Sequence, residues 1–431
     1  MCRWHCSDTH QSNSQYLSAE QSTPGGLKGR DSVAVEDSLR LVTHTPSYLN
    51  TIHSPGRTLI VPPSDTSHMG FIRKHPILTA SVLLGGVAVA GALKDSRFDP
   101  GEWHPPDPPA FEGVLAPNTE LAGLETVVSC EGPEDVAFDA AGRLYTGSEN
   151  GTVHRTTEPV EDGTNLELES FAYTGGRPLA MEWHDGELLV CVIGVGLVSV
   201  DETGNSRVLA ARGGGQPIAF ADDLHVADDG TIYFTDATIY DQFQDELVEL
   251  GDTGRLLAYH PESGETTVEL SGLGFANGLE IGPDGDSLLI TETSRYRVTR
   301  YWYRGERAGE FEHVLTNLPG FPDNIDAASE AGTYWLAIPS PRNPLIDWLH
   351  QHPWAATQLG KLPPSALGAI PIEPYGLVLR VTADGEILES LHDPNGEGGV
   401  FGITSATPYD GALYLGTLFG ERVVRYPLST E

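Results

Sequence analysis

Six times between residues 136 and 418 the chain runs an alternating apolar strand into a glycine turn, acidic in five of the six, and out again into a second strand. The six are VAFDAAGRLYTG around Gly142, MEWHDGELLVCV around Gly186, LHVADDGTIYFTD around Gly230, LEIGPDGDSLLITE around Gly285, IDAASEAGTYWLAI around Gly332 and ATPYDGALYLGTL around Gly411. Successive turn glycines lie 44, 44, 55, 47 and 79 residues apart. In the fullest copy, Gly272–Asn324, strands over Leu279–Ile281, Ser287–Thr293, Arg297–Arg304 and Phe311–Leu315 follow one another through tight turns, the pattern of a β-meander. A period near 40–50 residues with four short strands per copy is the signature of a propeller. The expected fold is all-β, a six-bladed β-propeller over residues 121–431. Leu124–Cys130 would close the ring beside Leu413–Thr417 and Val423–Tyr426, so that no sheet edge stays open. The 79-residue step contains an insert, Pro341–Tyr375, with the amphipathic piece LIDWLHQHPW, expected to form a short lid over the channel mouth.

Upstream of the repeats the chain changes character. Residues 1–68 are rich in Ser, Thr, Pro, Gly and His without apolar periodicity, and are expected to be a disordered extension. Met69 directly precedes a basic and then an apolar stretch, so translation starting there is a hypothesis; natural peptides from before Met69 would refute it. Within 69–94, Pro76–Leu93 is an uncharged run of 18 residues, enough for an N-terminal transmembrane helix. Arg73 and Lys74 before it place the N-terminus in the cytoplasm and the propeller outside, as a single-pass protein of the cell membrane. A cleaved signal peptide is the alternative, because Ala88-Val89-Ala90 has small residues at cleavage spacing. Residues 95–120, with DPGEWHPPDPP, read as a stiff proline-rich stalk.

Charge narrows the partners. Asp and Glu number 61 against 25 Lys and Arg, a formal −36, and only four of the basic residues are lysines. Such a chain repels phosphate backbones, so nucleic acid is excluded as a partner. An acidic, lysine-poor surface suits concentrated salt, and a halophilic source is expected. The four cysteines, Cys2, Cys6, Cys130 and Cys191, lack zinc spacing. Cys130 and Cys191 read as small buried side chains, with a disulfide between them left open.

Aligning the repeats on their turn glycines exposes a polar register. Glu134, Asp222 and Asn277 each lie 8 residues before their glycine, and Asp323 lies 9 before Gly332; the second and sixth copies offer Pro178 and Ile403. In a propeller this offset is the start of the innermost strand. Three carboxylates and an amide would then converge in a partly desolvated channel, where they repel one another unless a cation sits between them. All-oxygen donors suit Ca2+ rather than zinc. The competing reading is four unrelated turn-capping residues.

FANGLEIGPDGDSLLITETSRYRVTRYW followed by LPGFPDNI resembles the strictosidine-synthase-like family, part of a larger calcium-dependent group of six-bladed propellers that includes gluconolactonases and paraoxonases. GPEDVAFD and FADDLHVADDGTIYFTD are similar to further motifs of that family. The resemblance implies Glu134, Asp222, Asn277 and Asp323 as metal ligands, with Asp222 standing where relatives often carry asparagine. It also implies a membrane-anchored branch with arylesterase activity. One departure matters. Strictosidine synthases use a glutamate in the last blade, whereas FGITSATPYDGALYLGTLF has Gly402 or a neighbour there and no acid, so a Pictet–Spengler lyase is disfavoured.

Two functions remain in play. The first is a Ca2+-dependent hydrolase of lactones or small esters, with Asp323 as base or nucleophile and His225 as an alternative base. The second is a non-catalytic propeller whose cation only ties the blades together. His350 and His352 sit in the insert and could reach substrate. Ser294 and Ser340 lack the GxSxG context of a serine hydrolase.

Overall fold

Each repeat forms one antiparallel sheet, because alternating strands joined by left-handed glycine turns pair with their sequence neighbours before anything else. The turn glycines Gly142, Gly186, Gly230, Gly285, Gly332 and Gly411 all adopt φ between +68° and +83°. The structure, a computed structural model, describes residues 51–54, 57–60, 95–160, 165–396 and 399–428. The first two segments, Thr51–Ser54 and Arg57–Ile60, pair as an antiparallel hairpin within a unit of their own, Met1–Asp65. The rest of the expected N-terminal extension, and the run Pro76–Leu93, lie outside the described residues. Among the described residues no helix is long and apolar enough to cross a membrane.

Six four-stranded sheets make the propeller. Blade one begins with Val136–Phe138, blade two with Pro178–His184, blade three with Ala221–Val226, blade four with Ala276–Ile281, blade five with Ile325–Ala327 and blade six with Ile403–Tyr409. Blade six has only three strands from the C-terminal end of the chain; Glu125–Ser129 supplies its fourth, with Val128 opposite Val423. The ring is therefore closed by both ends, as the sequence predicts. Between blades, core clusters form where the outer face of one sheet meets the next, for example Leu189, Leu224, Phe234 and Leu257 between blades two and three. Cys130 and Cys191 are buried free thiols, not a disulfide.

Residues 95–120 do not stand off as a stalk. They are extended but packed on the domain. Arg97 pairs with Asp245 at 2.7 Å, the Gly101 amide donates to the Glu249 carbonyl, and the Trp103 amide donates to the His350 carbonyl. Phe98 and Leu115 are buried. The partners are helices: α1, Phe243–Glu249, between the second and third strands of blade three, and α2, Pro344–His350, and α3, Pro353–Leu359, in the blade-five insert. Strand polarity puts connections between second and third strands at the end of the channel where innermost strands begin. The insert thus caps the predicted end of the propeller, and it does so as a packed layer. Ile346, Leu349, Ala356 and Leu359 join one buried cluster with Phe98, Val248, Leu336 and Leu377.

Candidate metal centre

Pairing fixes which residues share a level of the channel. Val136 faces Thr146, Met181 faces Val190, Leu224 faces Phe234, Leu279 faces Ile290, Ile325 faces Leu336 and Ala406 faces Leu415. Two residues before each stand Glu134, Leu179, Asp222, Asn277, Asp323 and Thr404. The four predicted residues thus occupy one level. Blades two and six contribute Leu179 and Thr404, rather than Pro178 and Ile403, because their first hairpins turn on two residues only, Asp185-Gly186 and Asp410-Gly411, which sets the glycine one position closer to the ring than the longer turns of blades one, three and four. No acid stands at the blade-six position.

The backbone of this ring is held by hydroxyls. Thr235 accepts from the Asp223 amide at 3.0 Å and donates to the Asn277 carbonyl at 2.7 Å, tying blade three to blade four. Thr291 repeats the device, accepting from the Gly278 amide and donating to the Asp323 carbonyl, both at 2.7 Å. Thr404 donates to the Glu134 carbonyl at 2.6 Å and so joins blade six to blade one. With each carbonyl occupied by a neighbouring blade, the side chains on these residues are fixed in orientation. Gly278 is required by the same approach: a Cβ there would sit 2.6 Å from the Asp323 carbonyl oxygen. Acids that follow the threonines hold the loops leading in. Asp236 accepts from the Ala219 and Phe220 amides and pairs with Arg255; Glu292 accepts from the Gly274 amide and pairs with Arg297. Phe275, two residues before Asn277, adopts a left-handed φ of 54° that a phenylalanine tolerates only when its surroundings impose it. It packs against Phe220 at 5.4 Å between ring centroids, in a cluster with Leu179 and Ala237.

All four side chains are buried, at 3 % exposure for Glu134 and Asp222, 4 % for Asn277 and 7 % for Asp323. Each has one buried oxygen without a hydrogen-bond partner: Glu134 Oε2, Asp222 Oδ2, Asn277 Oδ1 and Asp323 Oδ1. Buried polar atoms are ordinarily satisfied, so four orphans on one level mark a place built for something else. Burial, then repulsion from Asp323 and Asp222, pushes the Glu134 carboxyl well above its ordinary value. Burial and Asp323 do the same to Asp222. Asp323 is raised by burial to about 8, against a lowering hydrogen bond from the Asn277 side chain. The Arg177 guanidinium is the cation that opposes these shifts at Glu134 and Asp222. The donor set, oxygens only and mostly charged, fits a hard cation such as Ca2+. Among the described residues, no three His, Cys, Asp or Glu side chains are drawn together as a closed ligand set. The ring is open, with its acids coupled through space.

His225 is not brought to this ring. Three residues beyond Asp222, roughly 10 Å along an extended strand, it lines a lower part of the channel and faces Glu280 at 3.5 Å. Burial holds it neutral, with its ionisation lowered to about 4. His350 is buried in the cap, its Nε2 2.8 Å from the Leu247 carbonyl, and His352 stacks on Trp348. The residues missed in the sequence are the threonines and the acids beside them. Their signal was present in YFTD and LITE, each ending a second strand just where the next blade must be pinned.

Two family profiles match the chain, one described as strictosidine synthase over residues 222–306 and one as strictosidine synthase-like, N-terminal, over 113–156. Among curated relatives, an adipocyte plasma membrane-associated protein of Salmo salar is 32 % identical over 81 % of this chain and 89 % of its own. A strictosidine synthase-like protein of Arabidopsis thaliana is 35 % identical over 64 % of this chain and 75 % of its own. Among solved structures, a gluconolactonase from Xanthomonas campestris has the same fold at a TM-score of 0.51 and 17 % identity, covering 78 % of this chain and 99 % of that one.

Proposed function

This chain belongs to the strictosidine-synthase-like family, and on that premise we propose that it is a Ca2+-dependent hydrolase of lactones or small esters. The observation that carries the proposal is the ring of four buried, unpartnered oxygens contributed by four blades. A cation held by Glu134, Asp222, Asn277 and Asp323 would polarise a carbonyl oxygen as a Lewis acid.

The chain's own groups supply the rest. Asp323 is the base: with a cation in the ring its buried carboxylate would be ionised, and its second oxygen could accept a proton from an attacking water. The Asn277 side chain hydrogen-bonds to it and fixes its orientation. Phe220, Phe275 and Leu179 form a buried apolar cluster beside the ring that keeps bulk water from its flank. Thr404 at the ring level and Gly402 two residues before it leave blade six without an acid, which favours hydrolysis over an amine condensation. The relatives' membrane-associated name supports anchoring through Pro76–Leu93, with the propeller outside the cell, and the composition supports a saline milieu.

Purified full-length protein in molar salt, assayed on aryl esters and lactones with and without chelator, tests this. Chelator-sensitive turnover, together with Ca2+ binding by calorimetry that Asp222→Ala weakens, is the expected result. Calcium binding without turnover on a broad panel would instead make the cation a structural tie between blades.

A further inference from the structure

Below the ring, the innermost strands surround a second space, a chamber of about 370 Å³. Five carboxylates line it, one from each of blades one to five: Asp135, Glu182, Asp223, Glu280 and Asp326. Its lining contains no lysine and no arginine, and its one histidine, His225, is held neutral by burial. Four of these acids spend an oxygen on the next blade. Asp135 accepts from the Met181 amide at 3.0 Å, Glu182 from Val226 at 3.2 Å, Asp223 from Leu279 at 2.6 Å and Glu280 from Ala327 at 3.0 Å. The acids therefore have a structural task, yet no cation in the lining answers them, and burial raises all five carboxyls above their ordinary values. A separate observation points to an occupant. Asn324, 4 % exposed, lines the chamber; its Nδ2 donates to Glu134 Oε1 at 3.3 Å, but its Oδ1 is buried and unpartnered, and Asp326 Oδ2 is likewise an orphan.

We propose that this chamber binds a small organic dication, a linear aliphatic diamine. A single metal ion needs its oxygens within about 2.6 Å of one point. Here the acids are spread around five blades, and no three of them close on a common point. The volume is that of a small-molecule pocket. Between the carboxylates the lining is apolar, from Met181, Leu224, Leu279 and Ile325. A methylene chain with an ammonium at each end matches that alternation of charge and grease, and its N–H groups supply the donors that Asn324 and Asp326 lack.

Titration calorimetry on the full-length protein, with chelator present to remove divalent ions, tests it using putrescine and cadaverine as probes. Butanediol and butylamine serve as the uncharged and singly charged controls. Either diamine is expected to bind in preference to both controls. Glu182→Gln and Glu280→Gln, neither in the upper ring, should each weaken binding by roughly thirtyfold or more. Melting curves of the two variants establish that they fold. Absence of diamine binding overturns the proposal, as does binding that both variants retain. Binding of Ca2+ or Mn2+ that these variants abolish, with no response to diamine, would assign the chamber to a metal and overturn it too. None of these readouts depends on ester turnover, so failure of the hydrolase reading is separately visible.

Discussion

Replacing Asp323 with asparagine should stabilise the cation-free protein at alkaline pH and destabilise the calcium-loaded one. Asp323 is 7 % exposed, and burial raises its carboxyl from 3.8 to about 8. A carboxyl raised on folding favours the folded state while it keeps its proton. That contribution is complete below the unfolded value and is lost as pH rises toward 8. Each pH unit of displacement corresponds to about 1.4 kcal/mol, so full ionisation in the empty ring costs on the order of 5 kcal/mol. For a domain of roughly 300 residues, unfolding entropy converts this to about 8 °C in Tm. The amide of the variant mimics the protonated acid and has no such loss. In chelator, the variant should melt only about 2–3 °C above wild type near pH 5, and about 8 °C above it near pH 9. In excess Ca2+ the order should reverse, because the ionised carboxylate is then a ligand and the amide a poorer one. Differential scanning calorimetry across that pH range in both conditions measures it. A gap in chelator that does not change with pH, or a variant less stable than wild type throughout, would refute the reasoning.

Arg297→Ala leaves Glu292 buried without its guanidinium and should cost about 3–5 kcal/mol, read by denaturant unfolding. Val128→Glu puts a charge at a fully buried position of the closing strand opposite Val423, and should prevent soluble folding, read by expression and circular dichroism. His350, lowered to about 4 by burial, favours the folded cap while neutral; that contribution is present above its unfolded value of 6.5 and is lost as pH falls through 4. Hydrogen exchange should therefore show α1 and α2 loosening in that window in wild type and less in His350→Gln. Cys130, pushed by burial to about 11, and Cys191, pushed by burial well above its ordinary value, should resist alkylation until the propeller unfolds, as mass mapping of labelled peptides would show.

Blade number, closure and the level of the ring were legible because each rests on local pattern. A turn glycine at φ near +80° fixes the hairpin, the hairpin fixes the pairing, and counting back from it finds the channel. Counting failed by one at Leu179 and Thr404, because a two-residue Asp-Gly turn sets the glycine one position closer to the ring than the longer turns of blades one, three and four. The proline-rich stretch was misread for a different reason. Its composition correctly excluded a helix, but its attachment depends on Asp245, Glu249 and His350, each more than 140 positions away in the chain. His225 failed by distance: sharing a strand with Asp222 placed it in the right channel but on the wrong level.

The two levels of the channel explain each other. An innermost strand must hand its unpaired amides to something, and the neighbouring blade meets it at an angle that leaves sheet pairing out of reach. Asp135, Glu182, Asp223 and Glu280 meet that need by accepting those amides from below the ring. Asp135 is raised by burial to about 6 and Glu182 to about 7, so near neutrality the lower belt sits close to the point of gaining or losing protons. The upper ring has no such outlet, because its threonines occupy the backbone carbonyls and one oxygen on each of its four side chains is left without a partner. Acid side chains thus serve as blade-to-blade ties at one level and stand unpaired at the other. Exchanging them should separate the two roles. Glu182→Gln retains an acceptor for the Val226 amide and should melt within a few degrees of wild type, while Glu182→Leu removes it and should cost about 1–3 kcal/mol. Equal melting of the two variants would mean that the belt does not hold the blades together and that its acids are kept for their charge alone.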